Sequence, residues 1–214
     1  TAVDLSRASL AYAQRKTSEL GITNVKYLQA DILNLGGLGQ EFDIIESSGG
    51  LHHRDDPMAG WRVLADMLEM GGLMRIGLYS ELARRHIVKT REEIGLRGIG
   101  TSEDEIRQFR QSLVESSADH HQLLTDSGDF FSLSTLRDLI FHVQEHRFTL
   151  PQIQHSLDEL GLQFCGFEDK GIVGRFKHFF GKDSDACDLS LWHQFEEENP
   201  STFAGMYQFW CQKT

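Results

Sequence analysis

Four short apolar runs, each ending in an acid, a glycine or a serine, constrain this chain more than any other feature. They are Ala2-Val3-Asp4, Val25 through Asp31, Phe42 through Gly50, and Gly72 through Ser80. Alternating with helical stretches, such runs read as parallel strands carrying ligand-type residues at their carboxyl ends. That is the layout of a nucleotide-binding α/β sheet. The glycine-rich strand-to-helix turn of such a sheet has no counterpart after Thr1, so the domain is expected to start upstream of the first residue.

The segments between the runs carry clear punctuation. Ser6 is placed to cap a helix reaching about Leu20, with Gly21 as its left-handed stop. Val25 to Leu28 is expected as a strand, and Phe42 to Glu46 as a strand buried on both faces. Asp56 and Pro57 open a helix with Trp61, Leu64, Ala65 and Leu68 on one face, which Gly71-Gly72 should end. Leu73 to Leu78 follows as another buried strand. From Glu81 to about Gln144 the pattern is helical, with a capping box at Ser102 and Glu105 and a further helix over Leu133 to Val143. Thr149 caps a helix ending at Gly161, and Leu162 to Phe167 and Gly205 to Cys211 read as late strands.

At 214 residues and 40% hydrophobic content the chain can bury a full core, and a single domain spanning 1–214 is expected. Within it, 1–80 would form a partial cofactor-binding core, 81–150 a helical cap over the acceptor, and 151–214 the closing strands and helices. No run approaches the ~20 apolar residues of a membrane helix, so no membrane partner is expected. A formal charge of −11 argues against a nucleic-acid backbone as partner. Cys165, Cys187 and Cys211 are odd in number and lack zinc or disulfide spacing, so reduced thiols in a cytoplasmic protein are expected.

The chemistry starts at the strand tips. A carboxylate at Asp4 can accept from both hydroxyls of a ribose, although an acid there also serves simply to cap the following helix. Asp31 repeats the placement one strand later, beside the backbone N–H of Ile32. The third tip, Glu46-Ser47-Ser48-Gly49-Gly50-Leu51-His52-His53, is small and rich in accessible backbone.

Taken together, Ala2-Val3-Asp4-Leu5-Ser6, Ala30-Asp31-Ile32, Phe42 to Glu46 leading to Leu51-His52-His53, and Gly71-Gly72-Leu73-Met74 resemble a class I S-adenosylmethionine-dependent methyltransferase. With Ile76 to Glu81 and the tail Phe203 to Lys213, the similarity is nearest to the methyltransferase domain of bacterial tetratricopeptide-repeat proteins. The resemblance implies an α/β, Rossmann-like class I methyltransferase sheet, mostly parallel with an antiparallel C-terminal strand and a helical insert after strand five. The family's order is 3-2-1-4-5-7-6, and this chain would lack strand one. It also implies S-adenosyl-L-methionine as cofactor, held by Asp4, Leu5, Asp31, Ile32, Ser47, Ser48, Leu51 and His52. The acceptor would be a small molecule or a protein. Candidates for proton transfer are His53 and Tyr79, and candidates for the acceptor pocket are Arg137, His142 and His146.

A missing central strand would leave two rows of unpaired backbone groups. Three arrangements answer that: direct pairing of the flanking strands, filling by a second copy of the chain, or a two-piece sheet that dimerises. The absent loop also leaves open a non-catalytic module that binds no cofactor. A nicotinamide enzyme explains Asp4 but neither Asp31 nor the aromatic last strand. His142-Val143-Gln144-Glu145-His146 matches a zinc-hydrolase pattern. It is set aside in a chain with ten histidines, because Arg147, Thr149 and Pro151 point to the helix stopping there; no metal is expected. Glu196-Glu197-Glu198 reads as a solvated face. Phe176, Phe179, Phe180, Trp192 and Phe195 are expected to pack over the sheet or to meet a partner.

Overall fold

The computed structural model describes residues 1–141 and 145–214. The chain opens with β1 (Ala2–Asp4), α1 (Arg7–Glu19) and β2 (Tyr27–Gln29), then β3 (Phe42–Ser48), α2 (Pro57–Asp66) and β4 (Leu68–Ser80). A helical layer follows: α3 (Arg85–Arg97), α4 (Glu103–Val114), α5 (Asp119–Thr125) and α6 (Leu133–Phe141). The remainder is β5 (Arg147–Phe148), α7 (Leu150–Leu160), β6 (Leu162–Phe167), α8 (Lys170–Phe180), α9 (Leu189–Glu198) and β7 (Tyr207–Lys213).

The strands form two pieces. β1 and β2 pair in parallel, and the larger sheet runs β3-β4-β7-β6 with β5 alongside the end of β4. β3 and β5 lie parallel to β4, whereas β7 is antiparallel to both β4 and β6. This is the expected order with β1 and β3 facing each other unpaired, so the direct pairing of flanking strands is not what the chain does. It also explains a departure in β3. That strand was expected to be buried on both faces, yet Ile44 is 57% exposed because no strand among the described residues is bonded to its outer edge.

Most of the punctuation holds. Ser6 accepts from Ser9 N–H at the start of α1, and Ser102 with Glu105 and Thr149 with Gln152 form capping boxes. Gly161 sits at φ 64° where α7 ends. Two boundaries move. β2 begins at Tyr27 rather than Val25, and α2 stops at Asp66, so Leu68 belongs to β4 and Gly71-Gly72 lies inside a strand. The β3–β4 register jumps from Phe42↔Leu68 to Ile44↔Leu73, a bulge made possible by Gly71 at φ +78°.

Two hydrophobic clusters result. The first packs α2, α7, α8 and α9 against the sheet around Trp61, Ile76, Phe164, Trp192 and Phe209. The second joins Ile87, Ile106, Phe109, Leu124, Leu136 and Ile140 of the helical layer. Phe176 stacks on Trp192 at 4.0 Å, and both belong to the core; Phe179 is exposed. Glu196 is corrected from solvated to fully buried, where it accepts from Ser80 and Tyr207 hydroxyls at 2.5 to 2.8 Å. Cys165 and Cys187, remote in sequence, are adjacent in space, with Cys187 Sγ 3.7 Å from the Cys165 carbonyl oxygen.

Candidate functional site

The carboxyl ends of β1 and β3 face one another across a cleft of ≈ 420 Å³. That is within the roughly 300–1,000 Å³ typical of small-molecule sites. Asp4, Leu5, Ile32, Ser47 and Ser48 line it, together with Gly49, Gly50, Phe42 and Arg54. Asp4 Oδ1 accepts the Ser6 N–H at 2.7 Å, which turns the chain from β1 into α1. The second oxygen of that carboxylate is not needed for the turn. Asp31 opens a 3-10 turn by accepting the Leu33 N–H at 2.9 Å, and it also pairs with Arg54 at 2.9 Å. The Leu33 amide and then Arg54 hold its carboxyl below the usual range. Arg54 is a residue that sequence reasoning missed; nothing in its spacing marks it as the partner of Asp31.

Asp31 does not line the cleft, and neither do Leu51 and His52. The latter two are fully buried beneath it, with Leu51 packed in the sheet core. The His52 ring lies 4.0 Å from Tyr79 and 4.4 Å from His53, centroid to centroid, and its nitrogens have no hydrogen-bond partner among the described residues. Burial, reinforced by neighbouring His53, pushes its pKa down to about 4, so at neutral pH it is an uncharged imidazole.

A second cavity, of ≈ 690 Å³, lies on the helical-layer side and brings together His53, Tyr79, Arg84, Asp129, Arg137, Asp138 and Glu145. Its wall is an electrostatic stack. The Arg84 guanidinium sits 3.7 Å over the Tyr79 ring and donates twice to Glu145, at 2.9 and 2.8 Å. Arg91 joins the same carboxylate at 2.9 Å. Burial would raise the Glu145 carboxyl, but the hydrogen bonds and charges of Arg84 and Arg91 outweigh it and keep it ionised. Burial raises the Tyr79 phenol against the opposing charge of Arg84. Tyr79 is thus a hydroxyl, not a base, at neutral pH. Arg137 donates to the Thr101 carbonyl at 3.2 Å. The His146 backbone N–H donates to the His52 carbonyl at 2.8 Å, and His142 lies outside the described residues. Glu145, read only as the fourth residue of a five-residue pattern, is the anchor of this wall.

Residues 1–72 match the family model for a methyltransferase domain. Among solved structures, PKMT2 from Rickettsia typhi in complex with AdoHcy superposes with a TM-score of 0.65 at 13% identity, over 98% of this chain and 42% of that one. Another structure of PKMT2 from Rickettsia typhi gives a TM-score of 0.64 at 14% identity over the same shares of the two chains. The chain has a methyltransferase fold. A curated relative, an uncharacterized protein of Synechococcus sp. (strain ATCC 27144), is 30% identical over 179 residues. That alignment takes in 79% of this chain and 43% of the relative, so the methyltransferase-fold chain spans less than half the length of the relatives it matches. No helix among the described residues is long and apolar enough to cross a membrane.

Proposed function

We propose that this chain transfers a methyl group from S-adenosyl-L-methionine to an acceptor bound under the helical layer. The observation that carries the reading is the pair of cavities at the carboxyl ends of the strands: a cleft between β1 and β3 carrying Asp4, and a polar pocket at the end of β4 bearing Tyr79 and the neighbouring His53. The cofactor supplies an electrophilic methyl on a sulfonium.

The residues present suit the nucleoside half of that molecule. Asp4 accepts from the ribose hydroxyls, the Ile32 side chain walls the adenine, and Ser47 and Ser48 border the path towards the second pocket. Asp31 takes the adenine amino group only by sharing its carboxylate with Arg54. His53 receives the proton an oxygen or nitrogen acceptor gives up, while neutral Tyr79 donates or accepts a hydrogen bond to orient it. Asp129, Asp138 and Arg137 border the acceptor pocket, a lining of mixed charge that suits a polar group of a small molecule or protein.

Calorimetric titration with S-adenosylhomocysteine tests the reading. Micromolar binding, lost in Asp4→Ala while circular dichroism stays unchanged, is the expected result. Absence of binding by the folded chain would overturn it and leave the competing reading, a methyltransferase-like module without cofactor, which the unpaired edges of β1 and β3 favour.

A further inference from the structure

Away from both cavities, Glu93 on α3 meets His120 and His121 on α5. His120 Nε2 lies 2.5 Å from Glu93 Oε1, and His121 Nε2 lies 2.8 Å from Glu93 Oε2. The three donor atoms fall within 4.8 Å of one another, the only such His/Cys/Asp/Glu group among the described residues. We infer that these residues form a zinc-class divalent cation site that clasps α5 to α3.

The donor set has the right chemistry. Two imidazoles and a carboxylate are a recurrent three-ligand zinc set that leaves a fourth position for water. Consecutive residues on a helix normally diverge by about 100°. Here the His120 and His121 rings sit 4.1 Å apart, and Glu93 reaches both with one oxygen each. His121 also has the outer partner such a ligand uses: its Nδ1 lies 2.7 Å from Ser116 Oγ. With the proton on Nδ1 donated to that hydroxyl, the Nε2 lone pair points at the shared centre.

The fit in size is close. Tetrahedral zinc with bonds of about 2.0–2.1 Å separates its ligand atoms by about 3.3 Å. Each ring nitrogen already stands within about 0.8 Å of that spacing from a Glu93 oxygen, at 2.5 Å for His120 and 2.8 Å for His121, so a cation is admitted by small side-chain shifts. The three side chains are 11–29% exposed, enough to admit an ion and too little for freely moving surface groups.

The element has a use for a clasp. α5 is seven residues long, and its buried side chains are His121 and Leu124 alone, so little apolar packing holds it to the helical layer. The exposed pair Cys165 and Cys187 is the competing zinc-binding feature, and the test separates the two.

The experiment is a titration of the purified chain with zinc sulfate against a chromophoric chelator, followed by thermal unfolding with and without zinc. One equivalent should bind at micromolar affinity or better and raise the unfolding midpoint. His121→Ala and Glu93→Gln should each weaken binding at least tenfold, the second without loss of side-chain volume. Cys165→Ser combined with Cys187→Ser should leave the equivalent in place. No saturable uptake by the folded chain, uptake unchanged in both ligand variants, or uptake lost only with the cysteines would each overturn the site.

Discussion

His52 shows how one side chain can couple the fold to pH. It is fully buried, with Tyr79 and His53 against its ring and Arg84 and Glu145 behind them. In the unfolded chain it protonates near 6.5; in the folded chain that falls to about 4. Between those values the unfolded state binds more protons, so the stability His52 contributes is complete above pH 6.5 and is lost as the pH drops towards 4. The span corresponds to a loss on the order of 3 kcal/mol. Urea unfolding at pH 7 and pH 4.5 should therefore show a smaller acid loss in His52→Gln than in the parent chain. Equal losses would mean that the imidazole is solvated. Chemically, a histidine sealed under the cleft is no base for an acceptor, and the methyl transfer proposed above therefore assigns proton acceptance to His53 on the pocket wall.

Two elements carry the fold where sequence patterns were silent. β4 continues through Gly71 and Gly72 because the bulge at Gly71 lets the chain re-enter register with β3. At Gly72 an added Cβ would stand 2.9 Å from the Glu69 carbonyl oxygen and 3.0 Å from that of Asp43, backbone atoms that cannot move aside. Gly72→Ala should cost about 1–3 kcal/mol, read as a lower urea midpoint at constant slope. The segment holding Glu145 is the second case. Its carboxylate, 2% exposed, is shared by Arg84 and Arg91 of the α3 region, so Glu145→Ala strands the buried Arg84 and leaves the partly exposed Arg91 with the Leu139 carbonyl. That loss should be about 3–5 kcal/mol, with Glu145→Gln recovering part of it.

These cases mark what was legible. Caps such as Ser6, Ser102 and Thr149 are local, because their hydrogen bonds reach only three residues along the chain. So are the acids at the tips of parallel strands. Glycine pairs are ambiguous between helix stop and bulge, since both need φ > 0 and only the pairing partner decides. The ion pairs Arg54–Asp31 and Arg84–Glu145, and the convergence of Glu93 with His120 and His121, join residues far apart in sequence. No periodicity encodes such contacts.

At the scale of the molecule, the two sheet pieces differ in what holds them. β4 and β7 lie at the centre of a four-strand array with side chains such as Met74, Ile76 and Phe209 fully buried. β1, α1 and β2 form a two-stranded unit in which α1 buries no residue at all. Two strands with so little covered apolar surface are marginal alone. Amide exchange should therefore be fast in residues 1–29 and slow in β4 and β7, the latter reporting global unfolding. The cleft lies between these pieces, with Asp4 on the weak one and Ser47 and Ser48 on the strong one. A ligand bound to both must oppose the opening of the weak unit, because binding stabilises any state that keeps the site intact. Saturating S-adenosylhomocysteine should then slow exchange in β1 and α1 while leaving α4, outside the cleft, unchanged. Protection of residues 1–29 equal to that of β4 without ligand would contradict the two-piece account. Slowing spread evenly over the chain would mean that the ligand acts on global stability and does not bridge the cleft.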